Sequence, residues 1–221
     1  MKNEYTNAEL KEIASQLSCP SGNFGMKIAD NMYNTNSNLI ERTIDELKLS
    51  EKYNVLEIGH GNAYHLNYLF SKVNELEYYG LEISELMKLE AERLNHKLVK
   101  NKKATFNLYD GRNIPFNSNK FDRIFTVNTI YFWKNPNKYL NEIYRVLKND
   151  GRLIISIIKK ESMQKLPFTK FDFKMYDVEE ICNLLIKTQL KIKKVVEKTE
   201  NVISNTGKEV TREFSIIISE K

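Results

Sequence analysis

The residues best suited to chemistry lie between positions 53 and 61, where an apolar run carries an acid, Glu57, and leads into a turn with Gly59 and Gly61. Glycine lets a backbone approach a ligand closely because it has no Cβ, and it accepts positive φ angles. In open α/β sheets, ligands bind above such turns, at the carboxyl ends of the strands. The segment therefore predicts a site for a nucleotide-like ligand.

A second acid, Glu82, follows Gly61 by 21 residues, at the end of the next predicted strand. An acid about twenty residues after a glycine turn is the standard partner of a ribose, because one carboxylate can accept hydrogen bonds from two hydroxyls. Ile83, next to it, could cover one face of an adenine. The spacing between Gly61 and Glu82 is the strongest evidence in the sequence that joins two motifs. The alternative interpretation of Glu82 is a solvent-exposed acid.

The glycine turn does not match the dinucleotide fingerprint, which requires a third glycine where this chain has Tyr64. Its pattern instead resembles the first motif of the class I S-adenosylmethionine (AdoMet) methyltransferases, acid-x-Gly-x-Gly-x-Gly. Glu57, Gly59 and Gly61 match that motif, and Ala63 replaces the third glycine. Within the family, the chain is most similar to small-molecule enzymes of the ubiquinone/menaquinone-biosynthesis type, over about residues 50–160.

The resemblance implies roles for further residues. Glu57 would offer negative charge to the AdoMet ammonium, and Asp110 or the Gly111 amide would recognise the adenine edge. Asn128, after the fourth predicted strand, would lie beside the methyl group and the acceptor. Two alternatives remain open: Glu57 could cap local amides at the strand end, and Asp110-Gly111 is also an ordinary turn pair.

Aromatic residues are candidates for the acceptor site. Tyr131 and Trp133 follow Asn128, and Tyr33 lies in an N-terminal segment that family members fold over AdoMet as a lid. Aromatic side chains beside a sheet are equally typical of core packing. No catalytic base can be identified, and one is needed only if the acceptor must lose a proton. Methylation of nucleic-acid bases is disfavoured, because the prolines that such enzymes carry after the Asn128 position are missing.

Strand patterns alternate with helix patterns along this part of the chain, which indicates βαβ units with a parallel sheet. These elements would position the candidate residues. Ser84 is a predicted helix N-cap, and Gly151 is expected to end a helix in the left-handed conformation. The predicted strands are 55–58, 78–82, 105–109, 123–127 and 153–158. The predicted helices between them are 64–72, 85–97 and 136–147.

After residue 176 the pattern changes to a helix at 178–187 and strands at 191–200 and 213–219, separated by a loop at 205–207. The two strands predict an antiparallel pair that closes the sheet edge. With the resemblance, this implies a Rossmann-like three-layer α/β sandwich, whose seven-stranded, mostly parallel sheet has one antiparallel edge strand.

The domain organisation is expected to be simple. Residues 1–50 would form an N-terminal helical lid segment, with helices at 8–17 and 37–47 and a polar, aromatic stretch between them. Residues 51–221 would form the AdoMet-binding domain, and the whole chain would be one domain.

Composition narrows the protein class. The net charge of +5 arises from 34 basic and 29 acidic residues spread along the 221-residue chain, so nucleic-acid binding is not expected. No apolar run approaches the roughly 18 residues of a membrane span, and the N-terminus lacks the apolar stretch of a signal peptide, so we expect a cytoplasmic protein. Cys19 and Cys182 are predicted to be reduced, buried thiols, and the scattered histidines indicate no metal site.

These patterns together predict an enzyme that transfers a methyl group from AdoMet to a small molecule by in-line displacement. An NAD(P)-dependent oxidoreductase is a weaker alternative, as is a non-catalytic protein that binds AdoMet or a partner. The acceptor, the methylated atom and the oligomeric state do not follow from the sequence.

Overall fold

A seven-stranded sheet flanked by helices forms the centre of the computed structural model, which describes residues 5–203 and 209–221. The strands are β1 (Tyr53–Ile58), β2 (Leu76–Glu82), β3 (Ala104–Leu108), β4 (Phe121–Val127), β5 (Leu147–Ile158), β6 (Lys191–Ile203) and β7 (Glu209–Glu220). The helices are α1 (Asn7–Ser18), α2 (Gly22–Glu46), α3 (Leu66–Lys72), α4 (Glu85–Leu94), α5 (His96–Lys100), α6 (Pro136–Val146), α7 (Lys160–Met163) and α8 (Val178–Lys187). Short 3-10 turns occur at Ile130–Phe132 and Pro167–Lys170.

The strand order is β3-β2-β1-β4-β5-β7-β6, with β1 to β5 parallel. β7 runs antiparallel to both β5 and β6, which confirms the predicted Rossmann-like sheet with one reversed strand. The reversed strand is second from the edge, and β6 is outermost. The predicted turn at 205–207 lies outside the described residues.

The position of β7 inside the sheet follows from its side chains. Residues 214–218 are buried whichever face of the sheet they point to, as expected for a strand that is paired along both of its edges. β6 instead carries exposed lysines and glutamates along its length, a pattern that discourages further pairing at an edge.

α2 is much longer than the helix predicted at 37–47, because the polar, aromatic stretch before it is also helical from Gly22. Its asparagine-rich middle has weak helix propensity, but tertiary packing can override propensity. Ile28, Leu39 and Ile44 are fully or almost fully buried. The helix therefore depends on contacts with the rest of the molecule.

Three local predictions have different outcomes. Ser84 caps α4 as predicted, since its hydroxyl accepts a hydrogen bond from the Met87 amide at 3.2 Å. The prediction for Gly151 was wrong, because Asp150 has the positive φ (62°) and a Cβ on Gly151 would stand 2.7 Å from the Lys148 carbonyl oxygen. Cys19 is exposed rather than buried, and Cys182 is half-buried.

No described helix combines the length and the apolar character that a membrane span requires.

Gly80 of β2 allows close packing beneath the glycine turn. A Cβ at this position would lie 2.6 Å from His60 Cδ2 and 2.9 Å from Phe106 Cδ1. We expect Gly80→Ala to lower the free energy of unfolding by about 1–3 kcal/mol, because the ring positions must shift. Urea unfolding would measure the change, with exposed Thr105→Ala on β3 as the control. Equal stability of Gly80→Ala and the wild type would show that the rings are free to move.

Candidate active site

The turn after β1 has the backbone shape that the glycine motif predicts. Gly59 and Gly61 have φ angles of 73° and 55°, and Ala63, in the third glycine position, also adopts a positive φ of 50°. A Cβ on Gly59 would collide with the Thr129 methyl group, whereas a Cβ on Gly61 would meet nothing within 4 Å. Gly61 therefore borders open space, and Ala63 keeps the conformation of the missing glycine.

Glu82 joins this turn to the start of α4. Its Oε2 accepts a hydrogen bond from the Gly61 amide at 3.0 Å, and its Oε1 accepts from the amides of Ile83 (2.7 Å) and Ser84 (3.2 Å). The residue is buried, which excludes the solvent-exposed alternative. A carboxylate has about four lone-pair sites, so one remains for a ligand hydroxyl.

Glu57 is buried beneath the turn, and its partners are side chains rather than the local amides of the alternative interpretation. Its Oε2 accepts from the Tyr78 hydroxyl at 2.5 Å and lies 2.8 Å from His65 Nε2. Burial, and then the charge of Glu57, raise the pKa of Tyr78 well above its ordinary value, so the phenol remains a donor. Oε1 of Glu57 has no hydrogen-bond partner among residues 5–203 and 209–221. It is therefore available to a cationic group.

His60 is a buried neutral imidazole in the same turn. Its Nδ1 lies 2.7 Å from the Gly61 carbonyl oxygen, which can only accept, so Nδ1 carries the proton. Its Nε2 has no partner in the described chain. Burial lowers the pKa of His60 more than the nearby carboxylates of Glu82 and Glu57 raise it.

This histidine should make stability depend on pH. In the unfolded chain it binds a proton as the pH falls through its ordinary value of 6.5, whereas the folded protein resists protonation until a lower pH. The unfolded state therefore binds more protons below pH 6.5, and the free energy of unfolding falls with the pH. We expect His60→Asn, which can still donate to Gly61, to flatten this decline in urea unfolding series. The exposed His96→Asn should leave the slope unchanged. Identical slopes for both variants would assign the acid sensitivity to other groups.

Three cavities share lining residues, and two of them border the glycine turn. The glycine cavity has a volume of about 760 Å³, including its open mouth, and its lining includes Gly59, Gly61, Glu82, Ile83, Tyr109, Gly111, Asn128, Phe132 and Trp133. The strand cavity, about 500 Å³, is bordered by Tyr33, Ile40, Glu57, Gly59, His60, Gly61, Asn62 and His65. The apolar cavity, about 770 Å³, is bordered by Leu17, Phe132, Ile158, Met163, Leu166, Phe168, Phe173 and Arg212, among others.

Most of the predicted site residues come together at these cavities, with three differences. Tyr33, a predicted acceptor residue, borders only the strand cavity. Trp133 lines the glycine cavity and not the apolar cavity, whereas Tyr131 does border the apolar cavity. Asp110 lines none of the three. Its carboxylate accepts hydrogen bonds from the amides of Arg112 and Asn113 and from the Asn113 side chain, and these bonds lower its pKa. The Gly111 backbone, not the Asp110 side chain, borders the site.

Asn36 escaped prediction because its helix did, whereas Met32 belongs to the N-terminal segment that was expected to fold over AdoMet. Met32 and Asn36, one turn apart on α2, line all three cavities. The Asn36 Oδ1 accepts a hydrogen bond from Asn128 Nδ2 at 3.2 Å. Their four-residue spacing would have revealed them only if residues 22–36 had been recognised as helical.

Asn128 is held firmly at the border between the glycine and apolar cavities. It adopts a φ of 58°, and its Oδ1 accepts from the Ile158 amide at 3.1 Å. The Tyr131 hydroxyl accepts from the same amide at 2.8 Å and donates to the Ile158 carbonyl at 3.0 Å. Tyr131 thus supports the backbone that orients Asn128.

The glycine and strand cavities fit the chemical groups of AdoMet. The free oxygen of Glu57 suits an ammonium, and the remaining lone pair of Glu82 suits a ribose hydroxyl. Gly61 leaves open the space that any other side chain would fill. Ile83 and Gly111 form a narrow edge, since a Cβ on Gly111 would stand only 3.3 Å from Ile83 Cγ2. A flat purine could lie against this edge.

Comparison with known proteins agrees with this fit. A family model described as a methyltransferase domain matches residues 56–155. The uncharacterized methyltransferase YdaC of Bacillus subtilis is 27% identical over 128 residues, which cover 58% of this chain and 68% of YdaC. The uncharacterized protein MJ1123 of Methanocaldococcus jannaschii is 30% identical over 196 residues, covering 80% of this chain and 88% of MJ1123.

A solved structure is similar along the whole fold. The SAM-dependent methyltransferase from Aquifex aeolicus superimposes with a TM-score of 0.64 and 24% identity over 98% of each chain. The sequence motif, the sheet order and the cavity at the glycine turn agree with the family match. The chain belongs to the class I AdoMet-dependent methyltransferases.

Proposed function

We propose that the acceptor of this methyltransferase is a small, largely apolar molecule held in the apolar cavity. The observation that carries the proposal is the shared border of the two cavities. The residues that line both the glycine cavity and the apolar cavity are Leu17, Met32, Asn36, Asn128 and Phe132. A molecule in the apolar cavity would therefore lie next to a cofactor in the glycine cavity.

When bound, AdoMet supplies a methyl group already activated on a sulfonium. Glu57 would attract the ammonium with its free oxygen, and Glu82 would accept a hydrogen bond from the ribose. The Gly111 amide and Ile83 would contact the adenine. Asn36 and Asn128, joined to each other, would orient the reacting groups at the border of the cavities.

The apolar cavity favours positioning over proton abstraction. Its lining, within the described ranges, includes no histidine, aspartate or glutamate. Tyr131 is a poor base, since burial raises its pKa far above the ordinary value and its hydroxyl is bonded to the Ile158 backbone. Alignment of two bound reactants can contribute about 7–11 kcal/mol toward the barrier. The chain therefore suits an acceptor that is already nucleophilic.

A larger side chain in the apolar cavity should lower activity with the acceptor and leave the affinity for the cofactor unchanged. Phe173 lines this cavity and packs against Phe132, with ring centroids 4.8 Å apart. We expect Phe173→Trp to lower kcat/KM for the acceptor by about tenfold or more, which corresponds to about 1.4 kcal/mol. The affinity for S-adenosylhomocysteine should not change.

The experiment measures S-adenosylhomocysteine release with panels of small apolar molecules, proteins and nucleic acids. Phe24→Trp is the matched control, because Phe24 is exposed and lines none of the three cavities. Methylation of a protein or nucleic acid alone would contradict the proposed acceptor class. So would full activity of Phe173→Trp on a small molecule.

A further inference from the structure

The apolar cavity has a positively charged side that a purely apolar ligand would not need. Arg212 lines it although the residue is only 7% exposed, and Lys165 lines it from an exposed position. Glu200 pairs with Arg212 from outside the lining, and the described lining itself contains no acidic side chain. The remaining wall is dominated by aliphatic and aromatic residues.

Arg212 is anchored so that part of its guanidinium group remains available. Nε donates to Glu200 Oε1 at 2.8 Å, and Nη2 contacts the same oxygen at 2.7 Å and donates to the Thr35 carbonyl at 2.6 Å. Nη1 has no hydrogen-bond partner in the described chain. Its two N–H groups are therefore free to donate single charge-assisted hydrogen bonds to a ligand oxygen.

The bonded part of Arg212 lies next to residues at the border of the two cavities. The guanidinium contacts the carbonyl of Thr35, the residue before Asn36, which is bonded to Asn128. Lys165 adds a second cation, which forms no ion pair with a described residue. An anionic group in the cavity would face no competing carboxylate in the described lining. Charge complementarity in a confined site raises both affinity and selectivity.

We propose that the acceptor is an anionic amphiphile, with an apolar chain or ring against Phe132, Phe168 and Phe173 and an anionic oxygen bound by Arg212 and Lys165. The proposal rests on the proposed function of the apolar cavity and deepens it. Glu200 keeps Arg212 in place by balancing its charge, while Nη1 recognises the ligand.

The test compares three probes that share one alkyl chain: dodecanoate, dodecanol and dodecyltrimethylammonium. Each is titrated below its micellar concentration into the full chain, with and without saturating S-adenosylhomocysteine, by calorimetry. We expect dodecanoate to bind at least about tenfold more tightly than the other two. Equal affinity of dodecanoate and dodecanol would overturn the proposal.

Two variants locate the anion site. Arg212→Lys keeps a cation beside Glu200 but loses the free Nη1 group, and it should weaken dodecanoate binding by about tenfold while dodecanol binding is unchanged. Lys165→Gln, at an exposed position, should weaken dodecanoate binding about threefold. The control is Lys170→Gln, an exposed lysine of the neighbouring 3-10 turn that does not line the cavity.

The outcomes separate the two proposals. If dodecanoate binds preferentially but no small molecule is methylated, the acceptor role of the cavity fails and the anion site stands. If small apolar molecules are methylated but dodecanoate has no advantage over dodecanol, only the anionic amphiphile is overturned. Unchanged dodecanoate affinity in both folded variants would overturn the assignment of Arg212 and Lys165.

Discussion

Gly61→Leu is expected to weaken AdoMet binding by about a hundredfold or more, equivalent to about 2.7 kcal/mol. A Cβ on Gly61 would meet no atom within 4 Å, because it would point into open space. Gly61 borders both the glycine cavity and the strand cavity, so the added side chain would occupy the volume that the cofactor needs. Calorimetric titration with AdoMet and S-adenosylhomocysteine would measure the loss.

Gly22→Leu is the matched control for this change. Gly22 has a φ of 60°, compared with 55° at Gly61, and a Cβ there would also meet nothing within 4 Å. Both variants therefore carry a similar backbone cost of about 1–2 kcal/mol from the left-handed conformation. Gly22 begins α2 and lines none of the three cavities. Equal loss of AdoMet affinity in both variants would show that destabilisation, and not a blocked cavity, is responsible.

Glu82→Ala is expected to weaken AdoMet binding by at least about tenfold, because a charge-assisted hydrogen bond to the cofactor is lost. The structure adds a second effect. The Glu82 carboxylate accepts hydrogen bonds from the amides of Gly61, Ile83 and Ser84, so its removal also loosens the turn that borders the cavity. Calorimetry at a temperature well below unfolding would measure the affinity, and urea unfolding would measure the stability.

Glu85→Ala provides the control for charge. Glu85 is an exposed acid in the first turn of α4, three residues after Glu82, and its replacement changes the net charge equally. It should leave AdoMet affinity within about twofold of the wild type, since exposed charges are largely screened. A folded Glu82→Ala variant with wild-type affinity would remove Glu82 from the cofactor site.

The sequence predicted the central sheet and the cofactor motif well because their signals are local. Apolar runs mark strands, and the Gly61 to Glu82 spacing spans one βαβ unit, so neighbours in sequence become neighbours in space. The same reasoning identified Ser84 as a cap, since the Ser84 hydroxyl and the Met87 amide lie within one helical turn. Where the deciding contact was nonlocal, the prediction failed. The asparagine-rich part of α2 is an example, because its helix depends on packing against distant elements.

The sequence by itself determined the fold class, the glycine turn and the acid that ends β2, because the strand and helix patterns and the motifs are each formed by residues close to one another in the chain. Only the tertiary structure decided which residues surround the glycine turn and the acid. The Asp110 carboxylate bonds to amides of its own loop. Met32 and Asn36 lie at the junction of three cavities, and Arg212 donates to the Thr35 carbonyl, 177 residues away in the sequence. The physical reason is that a cavity is formed by side chains from separate elements, and no local pattern specifies which distant surfaces will meet.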